Sequence, residues 1–312
     1  MLPAFVFILL LFLKCTSATR PRLAIQDDLK SDKAKWNTVN SILKTEFNDM
    51  ITLARVVVLT GSDCDEAFLR YFKKDDYPFV QAMFGAIANI DAPLSPDPNE
   101  ALQILSTFDL DSTLSNFWGE LLVSYEDLDP VTCAEMENLD GYLIYDYEAP
   151  RPLDPRYPWK GSGYLVLCRD RATMKYTVPL ELLGNPPAWG REGGEANGEP
   201  LVGFGCDGMG PRDTGFMEPT GVTHLHEIFH WPVPFLQVED YDKNIKENYD
   251  NGHQILDWED LPAGATDSYG PYNAMLINQL PLTSDGFSPA LNNAENYVWY
   301  ALSKYWSWKC GK

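Results

Sequence analysis

The chain has 312 residues, 45 of them acidic and 24 basic, for a net charge of −21 at pH 7. Like charge repels phosphate backbones and anionic headgroups, so neither nucleic acid nor a membrane surface is expected as a partner. With 45% hydrophobic and 13% aromatic residues, the chain can bury a substantial core as one large or two ordinary domains.

Residues 1–18 open with an apolar run from Phe5 to Leu13 and end in the small residues Thr16 to Ala18. That run is too short to span a bilayer, whereas the small residues suit signal peptidase, so cleavage near Ala18 and a secreted product are expected. Cys15 leaves with this leader, and Cys64, Cys133, Cys168, Cys206 and Cys310 remain. They are widely spaced without a C-x-x-C pair, which argues against a cysteine zinc knuckle and for two disulfides with one thiol left over. No Asn-x-Ser/Thr sequon is present.

A polar arm follows the leader. Apolar residues then recur at Trp36, Val39, Leu43, Phe47, Met50, Ala54 and Val57, a 3.6-residue period that predicts an amphipathic helix. Further helices are expected over 66–88, 98–107 and 113–126, interrupted by the Pro-rich loop from Asp91 to Glu100. Residues 141–148 and 162–170 are short, β-branched and aromatic, hence strands, with a third at 201–205. Residues 184–218 are rich in Gly and Pro and read as a long surface excursion, and helices at 271–280 and 289–306 close the chain. The order of helices, strands and helices predicts an α+β protein. Residues 19–130 form a helical N-terminal region, either a propeptide or an integral part, and residues 131–312 carry the chemistry.

Three of the four histidines fall in "THLHEIFHW", Thr223 to Trp231, where His226, Glu227 and His230 fit H-E-x-x-H. Residues four apart lie one turn apart on the same helical face, so both imidazoles can reach one metal ion. Zinc takes neutral imidazole, and Glu227, about 100° around the helix, can face a water at the metal and accept its proton. Thr220 or Thr223 could cap the helix, Val222, Leu225 and Phe229 give it an apolar face, and Pro232 and Pro234 prevent its continuation. His224 points to nearly the opposite side and is expected to serve packing or support. A catalytic zinc needs a third protein ligand. The residues after His230 are "WPVPFL", which excludes the extended H-E-x-x-H-x-x-G-x-x-H pattern. Glu239, Glu247, His253, Glu259 and Asp267 are the downstream candidates.

The stretch "GATDSYGPYNA", 264–274, resembles the Gly-Thr-x-Asp-x-x-Tyr-Gly motif of the aspzincin metalloendopeptidases, the group of deuterolysin and peptidyl-Lys endopeptidase. The C-terminal "NNAENYVWYA", 292–301, is similar to that family's Asn-Ala-Asp-x-Tyr helix. Ala265 stands where the motif has threonine, and the interval from Asp267 to Tyr269 is one residue short. The resemblance covers roughly 160–306. It implies a zincin-like fold, a small twisted sheet packed on helices with an H-E-x-x-H active-site helix. It further implies Asp267 as third zinc ligand beside His226 and His230, Glu227 as general base, and Tyr241 as the tyrosine that stabilises the oxyanion. The expected activity is zinc-dependent endopeptidase action by a monomer on protein or peptide substrates. The alternative is a secreted binding or effector protein that keeps the fold without turnover.

Overall fold

The computed structural model describes residues 20–23, 33–90, 100, 114–125, 141–145, 163–168, 217–219, 221–248 and 252–311. The expected leader, the helix at 98–107, the strand at 201–205 and the excursion at 184–218 fall outside these, apart from Glu100, Met217 and Glu218.

The first long helix, α1, runs over Lys33–Thr60 and brings the expected apolar stripe into the core, with Leu43, Phe47, Met50, Ala54 and Val57 buried. The stretch predicted as one helix over 66–88 is two: α2, Glu66–Tyr71, and α3, Tyr77–Ala88. Asp65 caps α2 by accepting from the Ala67 amide, and Phe72 leaves it in an extended conformation. Pro78 then sits in the first turn of α3, where its missing N–H has no helical partner to lose. Left-handed Asn89 ends α3.

The helix expected over 113–126 is not formed. Asn116–Glu120 make a short 3-10 turn and Leu121–Tyr125 form strand β2. Two parallel neighbours flank β2: β1, Arg22–Leu23, and β4, Gly163–Leu167. The first residues of β2, Leu121-Leu122-Val123, are a short apolar run, which periodicity cannot tell from a helix segment. Strand β3, Gly141–Tyr145, pairs antiparallel with β4, so the sheet order is β1-β2-β4-β3. β3 has no second strand partner among the described residues.

Helix α4, Val222–Phe229, lies between this sheet and the helical layer. The short α5, Tyr241–Asn244, leads to a hairpin of β5, Glu247–Asn248, and β6, Gly252–His253. Helix α6, Gly270–Asn278, and the long α7, Ala294–Cys310, complete the chain. The architecture is therefore mixed, with a small sheet packed on helices, as an α+β reading requires. α7 is buried along most of its length and packs against α1, α2, α4 and α6. Aromatic rings lock these contacts: Tyr297 stacks on Phe229 at 4.3 Å, and Tyr300 meets Phe84 edge-on at 5.9 Å. Each such pair contributes about 0.5–1.5 kcal/mol beyond the area it buries. Cys168 and Cys310 each take part in a disulfide, while Cys64 is a free, exposed thiol. No helix among the described residues is long and apolar enough to cross a membrane.

Residues on both sides of position 130 share one sheet and one core, since β1 and β2 pair with β4 and α1 packs on α4 and α7. Removing residues 19–130 strips that core from the later half. Such a fragment is expected to show no cooperative thermal transition by circular dichroism. A sharp melting curve from residues 131–312 alone would contradict the shared core.

Candidate metal centre

The site is built on α4. Val222, Leu225, Ile228 and Phe229 turn into the core, and Pro232 and Pro234 convert the chain into a 3-10 turn after Trp231. Thr223 lies inside the helix and Thr220 falls outside the described residues; Gly221 occupies the cap position without a side-chain bond. The reason is steric: a Cβ at Gly221 would meet the Glu46 carbonyl at 2.5 Å and Asp49 Cβ at 2.8 Å on α1. Another flank of the helix is equally close to the sheet. A Cβ at Gly141 on β3 would lie 2.8 Å from Thr223 Cγ2 and 3.2 Å from Glu227 Cγ and Oε1. Two glycines thus let α4 sit pressed between α1 and the edge strand.

His226 and His230 face the same point. His226 Nδ1 donates to Glu295 Oε1 at 2.7 Å, and His230 Nδ1 donates to the Ile255 carbonyl at 2.8 Å. Carboxylate and carbonyl oxygens only accept, so each ring donates from Nδ1, which leaves Nε2 as the nitrogen able to give its lone pair to a metal ion. The two Nε2 atoms are 3.1 Å apart. Asp257 joins them, with Oδ1 at 3.3 Å from His226 Nε2 and Oδ2 at 3.7 Å from His230 Nε2. Asp257 Oδ1 is buried without a hydrogen-bond partner. Three electron-rich groups turned on one another repel unless a cation lies between them. Ligand atoms bound to one ion at about 2.0–2.1 Å in tetrahedral geometry stand about 3.4 Å apart, close to the observed spacing. His226, His230 and Asp257 therefore form a group able to hold a metal ion.

The electrostatics agree. Burial works against a charged His226, yet the carboxylates of Asp257 and Glu295 outweigh it and raise its pKa well above the usual imidazole value. Burial also opposes ionisation of Asp257, but the His226 and His230 rings and the Tyr269 hydroxyl hold its carboxyl well below the ordinary range. The locus favours positive charge. Glu227 is buried beside the group, and that burial pushes its carboxyl up while the Leu143 amide of β3 donates to it.

Asp257 was not among the candidates in the sequence; the fold delivers it. Residues 254–258 run in extended form past the end of α4. Gln254 Nε2 donates to the His230 carbonyl, and the next residue, Ile255, orients the His230 ring. Asn293, at the start of α7, forms a parallel bridge with Leu256 and accepts from the Trp258 amide through Oδ1. Ala294 N donates to the Leu256 carbonyl. Asp257 is thus clamped on both flanks.

Asp267 does not join this group. Its exposed carboxylate accepts from the Tyr269 amide at 2.9 Å and from Asn273 Nδ2 at 2.8 Å, fastening the entry to α6. Tyr241 is also elsewhere: it is buried, its ring stacks on Phe235, and its hydroxyl donates to the His253 carbonyl. His253 donates from Nδ1 to Ile245 O, and Glu239, Glu247 and Glu259 are exposed outside the group. The tyrosine at the site is Tyr269, which stacks on His226 at 5.7 Å and donates to Asp257 Oδ2 at 2.8 Å. Burial and the Asp257 carboxylate push its hydroxyl pKa far upward, so it stays a donor. Buried His224 faces Glu46 of α1 at 3.7 Å, away from the centre, as its position on the helix predicts.

No protein-family model, no curated protein and no solved structure matches the chain. Two substitutions separate the ligand candidates. Asp257→Asn is expected to weaken zinc binding by more than about 100-fold, beyond the usual loss for an outer partner of a ligand. Asp267→Ala should bind added zinc as the parent does, measured by chelator competition; the reverse pattern would restore Asp267. Gly141→Ala drives a methyl into Thr223 and Glu227, and chemical denaturation should report a loss of about 1–3 kcal/mol.

Proposed function

We propose that this chain is a secreted zinc-dependent endopeptidase with a zincin-like arrangement, acting as a monomer on protein or peptide substrates. The observation that carries this reading is the convergence of His226 and His230 Nε2 with the Asp257 carboxylate, beside a buried glutamate that is not a ligand. Two imidazoles and one carboxylate suit zinc, and a catalytic site keeps a further position open. A zinc ion bound there supplies Lewis acidity and makes water a nucleophile at neutral pH.

The chain's own groups divide the remaining work. Glu227 takes the proton of the attacking water and returns it to the leaving amine; its raised pKa brings it nearer the working pH. Tyr269, held protonated beside the centre, takes the phenolic role that the resemblance assigned to Tyr241; its single O–H, donated to Asp257 at rest, would turn from that carboxylate to developing negative charge. Among the described residues β3 lies at the sheet edge, with its Leu143 amide donated to Glu227, and an extended peptide pairing with the remaining main-chain groups of that edge would lie beside the base.

Glu227→Gln tests the reading. It keeps shape and metal ligands, so zinc content should stay stoichiometric while casein or peptide hydrolysis falls by about 10²–10⁴-fold. A parent that holds stoichiometric zinc and cleaves nothing would favour the binding or effector alternative. A parent that holds no metal would remove both the site and the reaction.

A further inference from the structure

The carboxylate of Glu295 accepts three hydrogen bonds from three parts of the chain. Oε1 takes His226 Nδ1–H at 2.7 Å; Oε2 takes the Gly270 amide at 2.9 Å and Trp299 Nε1–H at 2.7 Å. Glu295 is 8% exposed, so each of these bonds is made in a low-dielectric setting. The two oxygens belong to one rigid plane. The orientation of the His226 ring and the position of the first residue of α6 are therefore set by the same group.

The contacts continue into a closed circuit. Gly270 has φ of +81°, a conformation that side chains rarely adopt, and this turn aims its amide at Oε2. Its neighbour Tyr269 stacks on His226 and donates to Asp257 Oδ2. His226 and Asp257 then face each other at 3.3 Å across the metal position.

Resting on the metal reading of the site, we infer that Glu295 is a positioning residue that couples metal binding at His226 to the seating of the first turn of α6, and thereby of Tyr269. A cation between His226 and Asp257 closes the circuit and orders residues 269–274. Coupling is reciprocal, so a firmly seated α6 tightens the metal in turn.

The test uses zinc and the full chain. In the parent, hydrogen exchange of a peptide covering 269–274 should slow when zinc is added. Glu295→Gln leaves one acceptor and replaces the other with an NH₂ that only donates, so it cannot serve His226 and the Gly270–Trp299 pair together. Zinc affinity should fall by about 10–100-fold, and the zinc-dependent slowing over 269–274 should vanish. A merely structural role would move neither that difference nor the affinity once folding is confirmed by circular dichroism. Should Glu295→Gln not fold, Trp299→Phe removes one anchoring donor and keeps the carboxylate; its zinc affinity should drop in the same direction by less. Affinity within twofold of the parent in the folded variant, or retained zinc-dependent slowing in Glu295→Gln, overturns the inference and leaves the metal site standing. A parent that takes up no zinc overturns the metal reading itself.

Discussion

The start of α7 is where the structure is tied together. Asn293 accepts from Trp258 and bridges Leu256, Glu295 orients His226, and Asn296 Nδ2 donates to the carbonyls of Tyr71 and Ala274. Within four residues, one helix end fixes a ligand-bearing loop, a ligand ring and two other helices. Buried amides and carboxylates are expensive unless every bond is made, and fully bonded they specify one arrangement. Neighbouring Asn292 works the same way, accepting from the Lys246 amide and donating to the carbonyls of Asn244 and Ser288.

Around that anchor the helical layer serves as a backstop for α4. α1 touches its N-terminal end so closely that Gly221 has no room for a side chain, and β3 approaches its other flank at Gly141. Phe229 is gripped by Phe84, Phe235 and Tyr297. With the helix held on these sides, His226 and His230 have little freedom to turn apart. The imidazoles converge because the scaffold around α4 fixes its roll and its end, and their Nδ1 partners then fix each ring.

Much of this was legible in the sequence. The 3.6-residue stripe announced α1, the H-E-x-x-H spacing announced the paired histidines, and the β-branched runs announced β3 and β4. β2 was not, because its short run Leu121-Leu122-Val123 reads equally well as helix or strand. Nor was the third member of the metal group. Asp257 reaches the two histidines through the bridge from Leu256 to Asn293, a pairing between residues far apart in sequence that no local pattern encodes. Asp267 looked better placed because it lies in a motif-like segment. Its carboxylate instead does what aspartates near helix starts commonly do, satisfying nearby amides. The role of Glu295 had a faint trace in the Asn-Ala-Glu run that begins α7, but only its bond to His226 gave that trace a meaning.

Asn296 joins Tyr71 across a sequence separation of 225 residues, and Lys304 pairs with Asp65 across 239. Closing loops of that size takes entropy before any contact repays it, so chains with such topology assemble slowly. The cation-holding face depends on those distant closures, since α7 orients His226 and clamps Asp257. Unlike a zinc finger, whose ion drives collapse of a small domain, this scaffold has to be largely built before the ion finds its complete set of donors. Were a metal bound by His226, His230 and Asp257, its uptake would come after those closures and would report that the chain had reached its final topology.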